Sequence, residues 1–190
     1  GAERAAELAG GNYLAPSARY SPRVPDTTQA LALLAEDGWG LLVEAGLVHD
    51  AAGGDPLAAA TALARRRPEV PAARRAAALE LVSEGARLAR KLGVSERLLA
   101  TRGAVEQATS GRVATWHAQQ VPPGSRVLEI GCGCGGDSLA LAHRAANLIA
   151  TDVDPVRAAC AHINLTTTGF ASSRAVPGDG FDLLAGEAEK

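Results

Sequence analysis

Residues 126–138 constrain the fold of this chain more than any other stretch. Arg126-Val127-Leu128-Glu129-Ile130 is a short aliphatic, β-branched run. It is followed by Gly131-Cys132-Gly133-Cys134-Gly135-Gly136, after which Asp137-Ser138 open an alanine- and leucine-rich helix. Strand, glycine loop and helix in that order predict an α/β fold, with parallel strands and flanking helices in a Rossmann-like arrangement. The glycines let backbone approach a ligand closely, and the helix start offers free N–H groups, so a nucleotide-like ligand is expected. A second strand, Leu148-Ile149-Ala150-Thr151, ends in Asp152. A carboxylate at that point, about twenty residues past the first glycine, is placed to accept from both hydroxyls of a ribose. Asp154-Pro155 then caps a helix running to about Leu165.

Composition narrows the class further. With 47% hydrophobic and 21% charged residues in 190, the chain has enough apolar material to bury a core. No run approaches the roughly 20 apolar residues of a membrane helix, and the first residues lack a charged-then-apolar signal pattern, so no membrane association and a cytoplasmic location are expected. Three cysteines, two of them in the glycine loop, do not make a disulfide framework. Nineteen basic against 21 acidic side chains exclude an overall basic nucleic-acid binder. The absence of methionine implies that the chain starts after its natural beginning.

Ahead of the glycine loop the pattern is helical. Residues 1–25, with Gly10-Gly11 and prolines 16, 22 and 25, read as an irregular arm, and residues 26–93 as a helical domain. A short helix carrying Leu31 and Leu34 ends at Gly38-Trp39-Gly40, and another starts near Leu41. Asp55-Pro56 then starts a helix whose apolar stripe is Leu57, Ala60 and Leu63. A long helix over 72–92 closes on Gly93. The cluster Arg65, Arg66, Arg67, Arg74 and Arg75 is read as a solvated helix face, with an RNA-contacting patch as the alternative. Residues 94–190 form the cofactor-binding domain. Within it Ser95 is expected to cap a helix through Leu98 and Leu99. Ser110 caps another, carrying Val113, Trp116 and Gln120, with Trp116 in the core and His117 at the surface.

Gly131, Gly133 and Gly136 also satisfy the dinucleotide pattern, which would make the chain an NAD(P)-dependent oxidoreductase. Glu129 points elsewhere. At the carboxyl end of its strand, two residues before the first glycine, its charge would repel a pyrophosphate and attract the ammonium of an amino-acid ligand. The spacing Glu129-x-Gly131-x-Gly133-x-Gly135 resembles motif I of the class I S-adenosylmethionine-dependent methyltransferases, Asp152 resembles their ribose-binding acid, and Gly178-Asp179-Gly180 resembles their adenine-contacting motif. The segment Ala104-Val105-Glu106-Gln107-Ala108-Thr109, with the Gly-Cys-Gly-x-Gly-Gly-Asp loop, looks like bacterial methyltransferases carrying a C-terminal THUMP-like domain. These are similar in turn to trimethylguanosine synthases and other RNA guanine-N2 methyltransferases. The resemblance covers about residues 26–185. It implies S-adenosyl-L-methionine as cofactor and base N-methylation of RNA as the activity. It also implies the cofactor contacts: Glu129 for the methionine ammonium; Gly131, Cys132, Gly133 and Gly135 along the cofactor; Asp152 on the ribose; Val153 and Asp179 at the adenine; and Gln107, Thr109 and Ser110 at the methionine end.

The sequence departs from that pattern after Asp179. Only Gly180-Phe181-Asp182-Leu183-Leu184 and a polar tail follow, so no fourth strand with its catalytic motif can be placed. A truncated chain is expected, with its catalytic residues unknown, and a non-catalytic cofactor- or RNA-binding module is an alternative. Three strands would leave the first open along one edge, where another copy could pair. Cys132 and Cys134, with Cys160, His143 and His162, invite a metal reading. A loop already committed to a ligand and the lack of a second spaced pair argue against it, and no histidine has a motif-supported place beside either thiol to make a nucleophile.

Overall fold

Alanine-rich sequence with well-placed caps builds the first half of the computed structural model, which describes residues 27–35 and 38–188. The arm expected over 1–25 lies outside the described residues. Four helices come first: α1 (Thr27–Leu34), α2 (Trp39–Ala51), α3 (Pro56–Arg66) and α4 (Ala72–Leu92). Helix α2 starts at Trp39, inside the Gly-Trp-Gly stretch expected to be a break. Asp55 caps α3 by accepting from the N–H groups of Leu57 and Ala58 at 2.9 and 3.2 Å, ahead of Pro56 in the first turn. The buried face of α3 is Ala59 and Leu63, one turn apart. Leu57, about 200° around the helix from Ala59 at 100° per residue, is 76% exposed, which corrects the stripe expected from sequence. Helix α4 buries Ala78, Leu81, Gly85 and Leu88 against α1, α2 and α3, and stops at Gly93 in the left-handed conformation (φ 75°).

The helix expected from Ser95 does not form. Residues 94–101 run as an irregular strap across α4, burying Leu98, Leu99 and Ala100. Its backbone groups find partners elsewhere: Ala100 N–H donates to the Leu81 carbonyl at 3.1 Å, and both polar groups of Leu99 pair with the Asn164 side chain. The crossing is possible because α4 carries Gly85, where a Cβ would overlap the Leu98 carbonyl. Gly85→Ala is expected to cost about 3 kcal/mol, because backbone must shift to make room. Chemical denaturation checks this, and an unchanged midpoint would show the strap to be mobile.

Two short helices follow, α5 (Arg102–Gln107) capped by Thr101 and α6 (Gly111–Gln119) capped by Ser110, whose Oγ accepts from Val113 N–H at 3.4 Å. Helix α6 packs on α7 (Gly136–Ala142) through Ala114 and Ala118. Trp116, expected in the core, is 58% exposed. The close packing of two helices selects the small residues for the buried face and leaves the indole outside.

Strands β1 (Arg126–Ile130), β2 (Asn147–Asp152) and β3 (Ser173–Pro177) form a parallel sheet in the order β1-β2-β3. Helix α7 joins β1 to β2, α8 (Pro155–Thr167) joins β2 to β3, and α9 (Gly180–Ala188) follows β3. Among the described residues β1 pairs with β2 alone. The register sets Glu129 beside Ala150 and Asp152 beside Pro177, so the acids of β1 and β2 reach the same end of the sheet. One apolar cluster extends from Leu33 of α1 to Ala175 of β3, and α1 packs directly on α8. No described helix is long and apolar enough to cross a membrane. Of the arginine cluster, Arg67 pairs with Glu44 and Glu69 at 3.2 and 2.6 Å, and Arg75 donates to the Arg67 and Val70 carbonyls.

Candidate functional site

The glycine loop folds over the end of β2. The N–H groups of Gly131 and Cys132 both donate to the Thr151 carbonyl at 2.8 Å, and Gly133 N–H donates to Asp152 Oδ2 at 2.8 Å. Gly133 and Gly135 are left-handed (φ 56° and 89°), which turns the chain into α7; a Cβ at Gly135 would only touch Ala161 of α8 at 3.4 Å, so the backbone angle and not space calls for glycine there. Asp152 is therefore a structural acid as well as a candidate ligand. Its Oδ1 accepts from Asp154 N–H at 2.9 Å, and only 6% of the residue is exposed. Each oxygen keeps a further lone pair for a guest. Asp154 caps α8 by accepting from the N–H groups of Val156 and Arg157 at 2.9 and 3.3 Å.

Glu129 sits half-buried at the carboxyl end of β1, and the Ser138 hydroxyl donates to its Oε2 at 2.6 Å. Burial pushes its pKa up to about 7, and the nearby charges of Asp137 and Asp152 push the same way against the Ser138 hydrogen bond. The carboxyl is thus poised between its two states near neutrality. Asp137, in the first turn of α7, gathers two residues from upstream. Thr109 Oγ1 donates to its Oδ1 at 2.8 Å, and His117 Nδ1 lies 3.2 Å from the same oxygen. Gln107 turns to the other side and accepts from Arg157 Nη1 at 3.2 Å through its Oε1.

These groups surround a cavity of about 110 Å3 between the α5–α6 connection and the glycine loop. Of the residues singled out from sequence, Gln107, Thr109, Glu129, Gly131, Cys132, Gly133 and Asp152 line it. Gly135 sits behind the wall as the cap of α7. Val153 is exposed past the end of β2, Ser110 is engaged as the cap of α6, and Asp179 is exposed and caps α9 by accepting from Phe181 N–H at 2.9 Å. Burial raises the thiol pKa of Cys132, and the hydrogen bond with Cys134 together with burial raises that of Cys160, well above the ordinary range, so neither is a thiolate at neutral pH. Asp137 and Arg157 line the cavity too and were not singled out in the sequence. Asp137 could have been found as the acid in the first turn after the loop, whereas Arg157 carries no local signal.

The α/β arrangement, the glycine loop and the two strand-end acids can be set beside known proteins. The chain is similar to the crystal structure of a protein from Porphyromonas gingivalis W83 to which a methyltransferase function is ascribed, with a TM-score of 0.54 and 20% sequence identity over 63% of this chain. The likeness is one of fold, a Rossmann-like arrangement of parallel strands and flanking helices. The matched region spans 31% of the neighbour's chain. No protein-family model and no curated protein matches the sequence.

Proposed function

We propose that the chain binds S-adenosylmethionine at the carboxyl ends of β1 and β2 and serves methyl transfer, with a base nitrogen of RNA as the acceptor. The observation that carries the reading is the charge of the cavity wall: Glu129, Asp137 and Asp152 face it together. Such a wall repels a dinucleotide pyrophosphate and attracts an ammonium and a sulfonium, and S-adenosylmethionine carries both without a phosphate. When bound, that group supplies an electrophilic methyl. Glu129 would receive the ammonium, the loop backbone from Gly131 to Gly133 would support the chain of the ligand, and Asp152 would accept from the ribose. Thr109, fixed by Asp137, would close the methionine end. The neighbour's ascribed function supports the reaction class, and the resemblance of residues 104–109 and of the glycine loop to RNA methyltransferases supports the acceptor.

Calorimetry with S-adenosylhomocysteine and NAD tests the reading. The chain is expected to bind S-adenosylhomocysteine and not NAD, and Asp152→Ala is expected to weaken that binding at least tenfold while circular dichroism shows the fold retained. NAD binding without S-adenosylhomocysteine binding would overturn it. Transfer of a labelled methyl group to RNA, measured with and without the Asp152→Ala change, checks the acceptor.

A further inference from the structure

Arg157 has no part in the contacts assigned above, yet among the described residues lining the cavity it is the only cation. It reaches the wall from the first turn of α8, where it is ion-paired with Asp154 but keeps hydrogen-bonding capacity to spare. Nη1 donates to a neutral acceptor, Gln107 Oε1, at 3.2 Å. Nε stands 3.5 Å from Asp154 Oδ2 and has no hydrogen-bond partner, while the other oxygen of Asp154 is committed to capping α8. A guanidinium has five donors in a rigid fork, matched to the two oxygens of a carboxylate. In a space of about 110 Å3 it faces the same small volume as the acids Glu129, Asp137 and Asp152.

A wall that is anionic with one cation suits a guest that is cationic with one anion. An amino-acid head group has that charge pattern, with its ammonium and carboxylate on one carbon. We propose that Arg157, positioned by Gln107, is the specificity residue that receives the carboxylate of the ligand's amino-acid head group while Glu129 receives its ammonium. The inference rests on the reading that the cavity takes S-adenosylmethionine, and it gives a role to the hydrogen bond between Gln107 of α5 and Arg157 of α8. It also makes the site selective for the intact amino acid over adenosine thioethers lacking it.

The test is a cycle of two ligands and two proteins: S-adenosylhomocysteine and its decarboxylated analogue, titrated into the wild-type chain and into Arg157→Gln. Removing the carboxylate from the ligand is expected to weaken wild-type binding about 10- to 100-fold, the range for a charge-assisted hydrogen bond. Arg157→Gln should weaken S-adenosylhomocysteine to the same extent and leave the analogue within about twofold. Arg157→Lys, which keeps the charge and loses the fork, should fall between them. Equal wild-type affinity for the two ligands overturns the inference, whatever the variants do. Equal weakening of both ligands by Arg157→Gln also overturns it, since Arg157 would then be supporting the fold. Failure of the wild-type chain to bind either ligand defeats the S-adenosylmethionine reading itself, and this inference with it.

Discussion

Glu129→Gln is expected to stabilise the unliganded chain at pH 8 while removing most of its affinity for S-adenosylhomocysteine. The sign follows from the raised pKa of about 7. Between the ordinary carboxyl value of about 4.5 and 7, the folded chain keeps a proton that the unfolded chain has released, so folding is progressively disfavoured as pH rises through that window. Above pH 7 the whole cost is present, on the order of 2–3 kcal/mol for a half-buried group shifted this far. Glutamine carries no charge, and its carbonyl can still accept from Ser138. The variant should therefore unfold several degrees higher at pH 8, at about 2–4 °C per kcal/mol for a chain of this size, and within a degree or so of the wild type near pH 4.5. Binding runs the other way. The ammonium loses its counter-charge, and wild-type affinity should rise with pH up to about 7 and then level off, whereas the variant shows no such rise. Thermal unfolding at the two pH values checks the first half. A variant less stable than the wild type at pH 8 would mean that the carboxylate is already paired with a cation in the unliganded chain.

Asn164→Leu is expected to be the most destabilising of the substitutions considered. Asn164 is fully buried in α8, and its amide makes three hydrogen bonds: Leu99 N–H to Oδ1 at 2.8 Å, and Nδ2 to the carbonyls of Leu99 and Cys134, each at 2.9 Å. Leucine fills similar space and leaves all three partners buried and unpaired, for a loss of about 3–5 kcal/mol. The damage should also reach the ligand, because Cys134 belongs to the glycine loop and Leu99 to the strap that precedes α5. Urea denaturation, with S-adenosylhomocysteine titrated in parallel, measures both. A loss below about 1 kcal/mol would show that water reaches these groups in the native chain.

The contrast between Glu129 and Asn164 shows what the sequence makes legible. Glu129 is marked by local pattern, a carboxylate two residues before a glycine loop, and the register of β1 on β2 sets that carboxylate at the same sheet end as Asp152. The caps Asp55, Ser110 and Asp154 are legible for the same reason, since each satisfies backbone groups within three residues. Asn164 acts on Leu99 and Cys134, Arg157 on Gln107, and Asp137 on Thr109, all far apart along the chain. Helical periodicity has no access to such pairs. It failed in the strap 94–101 because long-range partners supply the hydrogen bonds that a helix would have made. It failed at Trp116 because burial there was decided by the closeness of α7 and not by side-chain hydrophobicity.

The packing of α1 on α8 has a consequence for how the chain is made. The two helices, residues 27–34 and 155–167, come from opposite ends of the sequence, yet Leu33 and Leu165 belong to one core. During synthesis at roughly 10 residues per second, α1 would wait about 10 s for its partner to emerge. Over that interval its apolar face has α2 and α4 as partners, and closing the long intervening segment onto α8 carries a large entropic cost. A segment made well before its partner is thus among the last to be secured, and a nascent chain stalled before α8 would present that face to chaperones.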